Sequence, residues 1–318
     1  MRCAETFKSK FLLTLALLAL SSQMVNAAYK NGFNLTNSLI PAEEILAGGP
    51  PRDGIPAIDQ PRFIHANQNT FLSATDRVLG ISIDGITKAY PIAILNWHEI
   101  VNDRVGNKPV VISYCPLCGS GVAFSAASKN TRYSFGVSGL LYNSDVLLYD
   151  RKTQSLWSQL LGKAISGPLQ STALQQIALT HTSWQAWHSQ HPDSLVLSEQ
   201  TGFKRDYKRD PYAGYTSRSD LFFPVKHQDS RYHAKEQVLG LIVNGQAKAW
   251  PFSELARTSG QLNDELNGKN IKIIFDEQHQ SGAAFDSKGN RLNDTTTFWF
   301  AWISFHPDTD VFTANNIK

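Results

Sequence analysis

The chain has 318 residues, with 30 Lys and Arg against 27 Asp and Glu and a formal net charge of +3. Charges so nearly balanced exclude the basic face of a nucleic-acid binder and any electrostatic pull toward an anionic membrane. The length suffices for one large or two ordinary domains with a real core.

The N-terminus, "MRCAETFKSKFLLTLALLALSSQMVNAAYK", joins Arg2, Lys8 and Lys10 to an apolar run from Phe11 to Leu20, with small residues at Val25 and Ala27. This is the pattern of a secretory signal peptide over residues 1–27, cut after Ala27. The run is too short to span a bilayer, and no later segment reaches the roughly 18 apolar residues that a membrane helix needs. The expectation is a periplasmic or secreted chain without stable membrane insertion after cleavage; an uncleaved anchor is the alternative. Cleavage removes Cys3, Met1 and Met24, leaving Cys115 and Cys118 as the cysteines and no methionine. A thioether-lined copper(I) site is therefore excluded. Residues 28–75 read as an N-terminal extension packing on the core.

Next comes an internal echo. "VLGISIDGITKAYPIAIL" (Val78 to Leu95) matches "VLGLIVNGQAKAWPFSEL" (Val238 to Leu255), and "NDRVGNKPVVISYCPLCGSGVAF" (Asn102 to Phe124) matches "NDELNGKNIKIIFDEQHQSGAAF" (Asn263 to Phe285). "WHSQHPDSLVL" (Trp187 to Leu197) matches "WISFHPDTDVF" (Trp302 to Phe312). The order and near-constant offset predict two degenerate repeats of one unit, residues 76–200 and 201–318. Within the unit, Asp84-Gly85 predicts a hairpin turn, and "AILNWHEIVND" has apolar residues at helical spacing. "KPVVISYC", "GVAFSA", "RYSFGVSGLL", "DVLLYD" and "SLWSQL" read as short strands, and "HTSWQAWHSQHPD" as a helix stopped by Pro192. The expected class is α+β, predominantly antiparallel β with short helices.

The segment "YCPLCGSG" carries the chemistry. In the second copy Cys115 becomes Asp276 and Cys118 becomes His279, while "NWHEIV" around His98 becomes "ARTSGQL". Joint loss of His98, Cys115 and Cys118 on a retained scaffold places one site in the first half; ordinary drift is the bland alternative. Two thiolates on a tight Cys-Pro-x-Cys-Gly turn can grip one ion, zinc or copper first. His98, Asp145, Asp150 or water would complete the ligand set, with an open position in a catalytic-type arrangement. The same spacing serves thiol oxidoreductases, but there a helix follows the first cysteine; here the following "GSGVAFSA" is strand-like. A plain disulfide also stays open, although so short a loop gains little from one.

Supporting candidates are Glu99, which could orient His98 or act as a base, and Asn143, Asp145, Asp150 and Trp157 within "LLYNSDVLLYDRKTQSLWSQ". Each has a plainer reading: His98 as a hydrogen-bonded core histidine, Glu99 as a solvated carboxylate, Asp150 as a turn residue. "GFKRDYKRDPYAGYTSR" (Gly202 to Arg218) is a solvated linker or an aromatic-basic lip over a ligand. No triad spacing, phosphate loop or Cys-x-x-Cys-His occurs, so neither a nucleotide nor a covalent c-type haem is expected.

The blocks "KAYPIAILNWHEIVND", "YCPLCGSGVAF", "FGVSGLLYNSDVLLYDRKTQSLWSQ" and "RDYKRDPYAGY" resemble, in order, a bacterial and archaeal family known as domain of unknown function 3179. The resemblance implies an exported protein and no established activity. It singles out His98, Cys115, Cys118, Gly119, Asn143, Asp145, Asp150, Trp157 and Asp210. The functional expectation is an exported metal-binding protein; the alternative is a thiol-disulfide or small-ligand-binding module without metal.

Overall fold

A computed structural model describes residues 29–128 and 131–316. The signal peptide expected over residues 1–27 lies outside these residues. Among the described residues no helix is long and apolar enough to cross a membrane.

Short antiparallel strands dominate, as their alternating apolar residues and turn signals predict. The Asp84-Gly85 turn, with φ of 51° and 79°, joins strands Arg77–Ile83 and Ile86–Pro91. Positive φ at both central residues is the turn whose twist matches a hairpin. Asn244-Gly245, with φ of 51° and 85°, does the same between Gln237–Val243 and Gln246–Pro251. Among the described residues the α-helices are Ile92–His98, Trp184–Gln190, Phe252–Leu255 and Trp299–Phe305. The first of these ends sooner than the periodicity predicts. Glu99 caps it in the left-handed region, and Ile100–Val105 is a strand.

The expectation of two repeats of one unit is corrected: five larger sheets form a propeller-like ring of five blades. The matching segments do take matching strands, but an addition to the first half breaks the symmetry. Strands Phe135–Tyr142, Asp145–Asp150, Leu156–Ser158 and Lys163–Ser166 build a fifth sheet, edged by Ile45–Ala47, with no counterpart in the second half.

The echoed residues have structural work. Lys88 pairs with Asp103 at 2.8 Å and Lys248 with Asp264 at 2.8 Å. Tyr90 Oη donates to Asp103 and Trp250 Nε1 to Asp264, each at 2.7 Å. Each aspartate is half-buried or buried and has a cation as well as a donor, which is what makes its burial affordable. Gly80 and Gly240 lie against the indoles of Trp187 and Trp302, where a Cβ would collide with the rings. The echo "VLG…KA…ND…W…HPD" is thus a set of packing brackets rather than a site.

The largest core cluster lies where the added sheet, the cysteine hairpin and the second half meet. It holds Phe135, Trp157, Tyr215, Phe298 and Phe300 together with Cys115 and Cys118.

Candidate metal centre

Strand Lys108–Cys115 pairs antiparallel with Ser120–Ser125, setting Cys115 opposite Ser120. The turn between them carries Cys118 and closes through Gly119, whose φ of +59° favours glycine. A Cβ there would also sit 2.7 Å from the Phe298 ring. The turn is docked on the second half: Cys118 O accepts from Phe298 N–H at 2.8 Å and Thr297 Oγ1 at 2.9 Å. Both cysteines are buried free thiols.

A second turn faces this one. Asn143 and Ser144, with φ of 50° and 63°, join the paired residues Tyr142 and Asp145. This geometry aims the Ser144 carbonyl at both sulfurs, 3.4 Å from Cys118 Sγ and 3.7 Å from Cys115 Sγ. It also delivers Asp145, so that the ligand atoms of Cys115, Cys118 and Asp145 all lie within 4.8 Å of one another. Asp145 is oriented from outside the cluster. Leu160 N–H donates to its Oδ2 at 3.0 Å. With its amide set to satisfy every neighbour, Gln159 donates to Asp145 Oδ1 at 3.0 Å and accepts from Cys115 N–H at 3.2 Å. Outer groups of this kind hold metal ligands in place.

Electrostatics set the cluster apart from the paired aspartates above. Among the described residues no lysine, arginine or histidine forms an ion pair with Asp145 or Glu99. Burial pushes Asp145 up to about 7, against hydrogen bonds that favour its charged form. Burial, then the nearby Asp145, pushes Glu99 up to about 8. Burial likewise raises the Cys115 and Cys118 thiols, Cys118 the further. Three buried groups able to carry negative charge thus cluster together, with Glu99 within electrostatic reach and none of them ion-paired to a protein cation among the described residues, an arrangement a bound cation would relieve. The Tyr215 hydroxyl is buried without a partner in the same cluster, and the charge of either thiolate would reach it. An orphaned donor at that place suits an added ligand on the ion.

The other sequence candidates separate. His98 is buried but does not join the cysteine cluster: its Nδ1 bonds Pro56 O and its Nε2 bonds Tyr207 Oη, both at 2.7 Å. Its helix ends at Glu99, so the turn that carries Glu99 toward Asp145 anchors the imidazole elsewhere. Asn143 braces the second turn, donating to Ser304 O at 3.1 Å and accepting from Lys226 N–H at 2.9 Å. Asp150 accepts from Thr153 N–H at 2.6 Å and from Trp157 Nε1 at 3.0 Å, closing a turn rather than facing the sulfurs. Trp157 stacks edge-on to Phe135 and walls the core behind the cysteines. Asp210 accepts from Asn96 at 3.1 Å.

Residues 202–218 are not a solvated linker along their length. Tyr207 is buried against His98, and Tyr215 is buried with the thiols. Sequence reasoning reached Tyr215 only through the aromatic-basic lip reading of residues 202–218, and it missed Gln159 and the Ser144 carbonyl.

With the geometry in place, a family model matches residues 52–309, described as protein of unknown function (DUF3179). The chain belongs to this family. That span includes the cysteine hairpin, the Asn143-Ser144 turn and both halves. Comparison with curated proteins and with solved structures returns no match.

Proposed function

We propose that this family member is an exported metal-binding protein whose ion is held by Cys115, Cys118 and Asp145. The observation that carries the reading is the convergence of these three buried ligand groups with no protein counter-charge. Two sulfurs and one carboxylate oxygen form a mixed soft and hard donor set, which suits zinc best and copper next. Three protein ligands leave a fourth position. Glu99 and Tyr215 lie within electrostatic reach of the cluster, and Glu99, raised to about 8, is suited to hold or release a proton near neutral pH. Any chemistry the ion supplies would be that of a Lewis acid or of a bound water made acidic. The periplasm or the outside of the cell is the proposed location, on the strength of the N-terminal pattern.

A thiol-disulfide role is the weaker reading. Burial raises both thiols, whereas a reactive cysteine needs a lowered pKa. A strand, not a helix N-terminus, follows the pair.

The test is elemental analysis of mature protein purified without chelator, beside the Cys115→Ser/Cys118→Ser variant. The reading predicts near-stoichiometric metal in the wild type and loss in the variant. Equal metal content in both would refute it. Metal-free wild type with both cysteines oxidised would transfer the assignment to the disulfide chemistry.

A further inference from the structure

A cavity of about 460 Å³ lies in the seam between the halves. Its walls include corresponding residues of each half: Arg77 with Gln237, and Ser183 with Phe298. Tyr114 and His181 border it as well.

The charge in this cavity is one-sided. Arg77 lines it, while no aspartate or glutamate does. The guanidinium donates to the carbonyls of His279 at 2.5 Å and Gln280 at 2.8 Å. These acceptors satisfy donors but do not cancel charge. Among the described residues no carboxylate forms an ion pair with Arg77. Burial lowers its pKa to about 10. His181 is 5% exposed, and its Nδ1 is buried with no hydrogen-bond partner. Its ring meets that of Tyr114 edge-on, with centroids 6.3 Å apart. Tyr114, Gln185, Gln237 and Gln278 add hydroxyl and amide donors, and Ile92 and Phe298 add apolar wall.

We propose that this cavity binds a small oxyanion, the carboxylate or phosphate group of a compact organic acid, with Arg77 as its charge partner. An arginine fork matches the two oxygens of such a group, and the pairing is strongest where water is scarce. The volume falls within the usual range for small-molecule sites. Nothing in this inference requires the metal, although Tyr114 precedes Cys115 in the sequence.

Calorimetric titration of the mature, metal-free protein with inorganic phosphate and with succinate tests it, the two arms separating phosphate from carboxylate. Saturable binding of one of them is expected. Affinity should fall about tenfold or more in Arg77→Gln and severalfold in Tyr114→Phe. Because Arg77 also ties the halves together, unfolding of Arg77→Gln would leave the decision to Tyr114→Phe, which keeps the ring. Absence of saturable binding to the wild type with either anion would overturn the proposal, as would unchanged affinity in a folded Tyr114→Phe.

Discussion

The hairpin ends at Cys115–Ser120 and Asp276–Ser281 have the same backbone pairing and opposite surroundings. The second end settles its own polar groups: His279 N–H donates to Asp276 Oδ1 at 3.1 Å, and His279 Nδ1 bonds Ser183 Oγ at 2.7 Å. The first end is buried, and the added sheet sets Asp145 against it. What distinguishes the first end is a cluster of buried acidic groups that no lysine, arginine or histidine pairs with among the described residues. Elsewhere in the same fold, Asp103 and Asp264 each have a lysine.

The comparison can be broken most sharply by moving the thiols. Asp276→Cys/His279→Cys should retain no tight metal, because no counterpart of Asp145 faces that turn. In the first turn, Asp145→Asn alone should weaken zinc binding by about 100-fold or more, beyond the usual cost of outer-shell changes. Competition with a chromogenic chelator measures both. Tight binding by the grafted pair would show that two thiols suffice.

The glycine that ends the knuckle offers the next contrast. Gly119 corresponds to Gln280, and both have positive φ, +59° and +45°. At Gly119 a Cβ would also meet the Phe298 ring. Gly119→Ala should cost roughly 2–4 kcal/mol from strain and overpacking, whereas Gln280→Gly should change stability by less than about 1 kcal/mol. Denaturant unfolding of the two variants decides the point.

Metal-free protein should lose stability as pH rises from about 4 to about 8. Asp145 and Glu99 have folded pKa values of about 7 and about 8, above their ordinary values. The folded state therefore binds more protons across this window. Its advantage is complete below the unfolded values and fades as pH passes the folded ones, by several kcal/mol. Zinc affinity should run the other way, rising with pH as the ligands deprotonate. Thermal unfolding across pH, with and without zinc, would expose a flat apo profile if these carboxyls were paired after all.

The smallest effect concerns the outer shell. Gln159→Leu should lower zinc affinity about tenfold while leaving both cysteines in place. Unchanged affinity would mean that Asp145 is oriented without its neighbour.

Local features were legible before the fold. Asp84-Gly85 announces a hairpin, which Asn244-Gly245 repeats in the second half, and Cys115 with Cys118 announces a two-thiol turn on strands. The rest is hidden by sequence distance. The echo between the halves implied two equal units, because the added sheet has no partner segment to reveal it. His98 was drawn to the cysteines by their joint loss, yet one αL residue, Glu99, separates its direction from theirs. Asp145 could be suspected but not preferred over Asp150. The choice is made by the Asn143-Ser144 turn, whose two positive φ angles neither residue announces as glycine would.

X-ray absorption at the zinc edge of the loaded mature protein tests the central claim most directly. The account predicts two sulfur neighbours at about 2.3 Å and oxygen at about 2.0–2.2 Å, with the oxygen shell altered in Asp145→Asn. A shell of nitrogen and oxygen alone, or of four sulfurs from two chains, would contradict it.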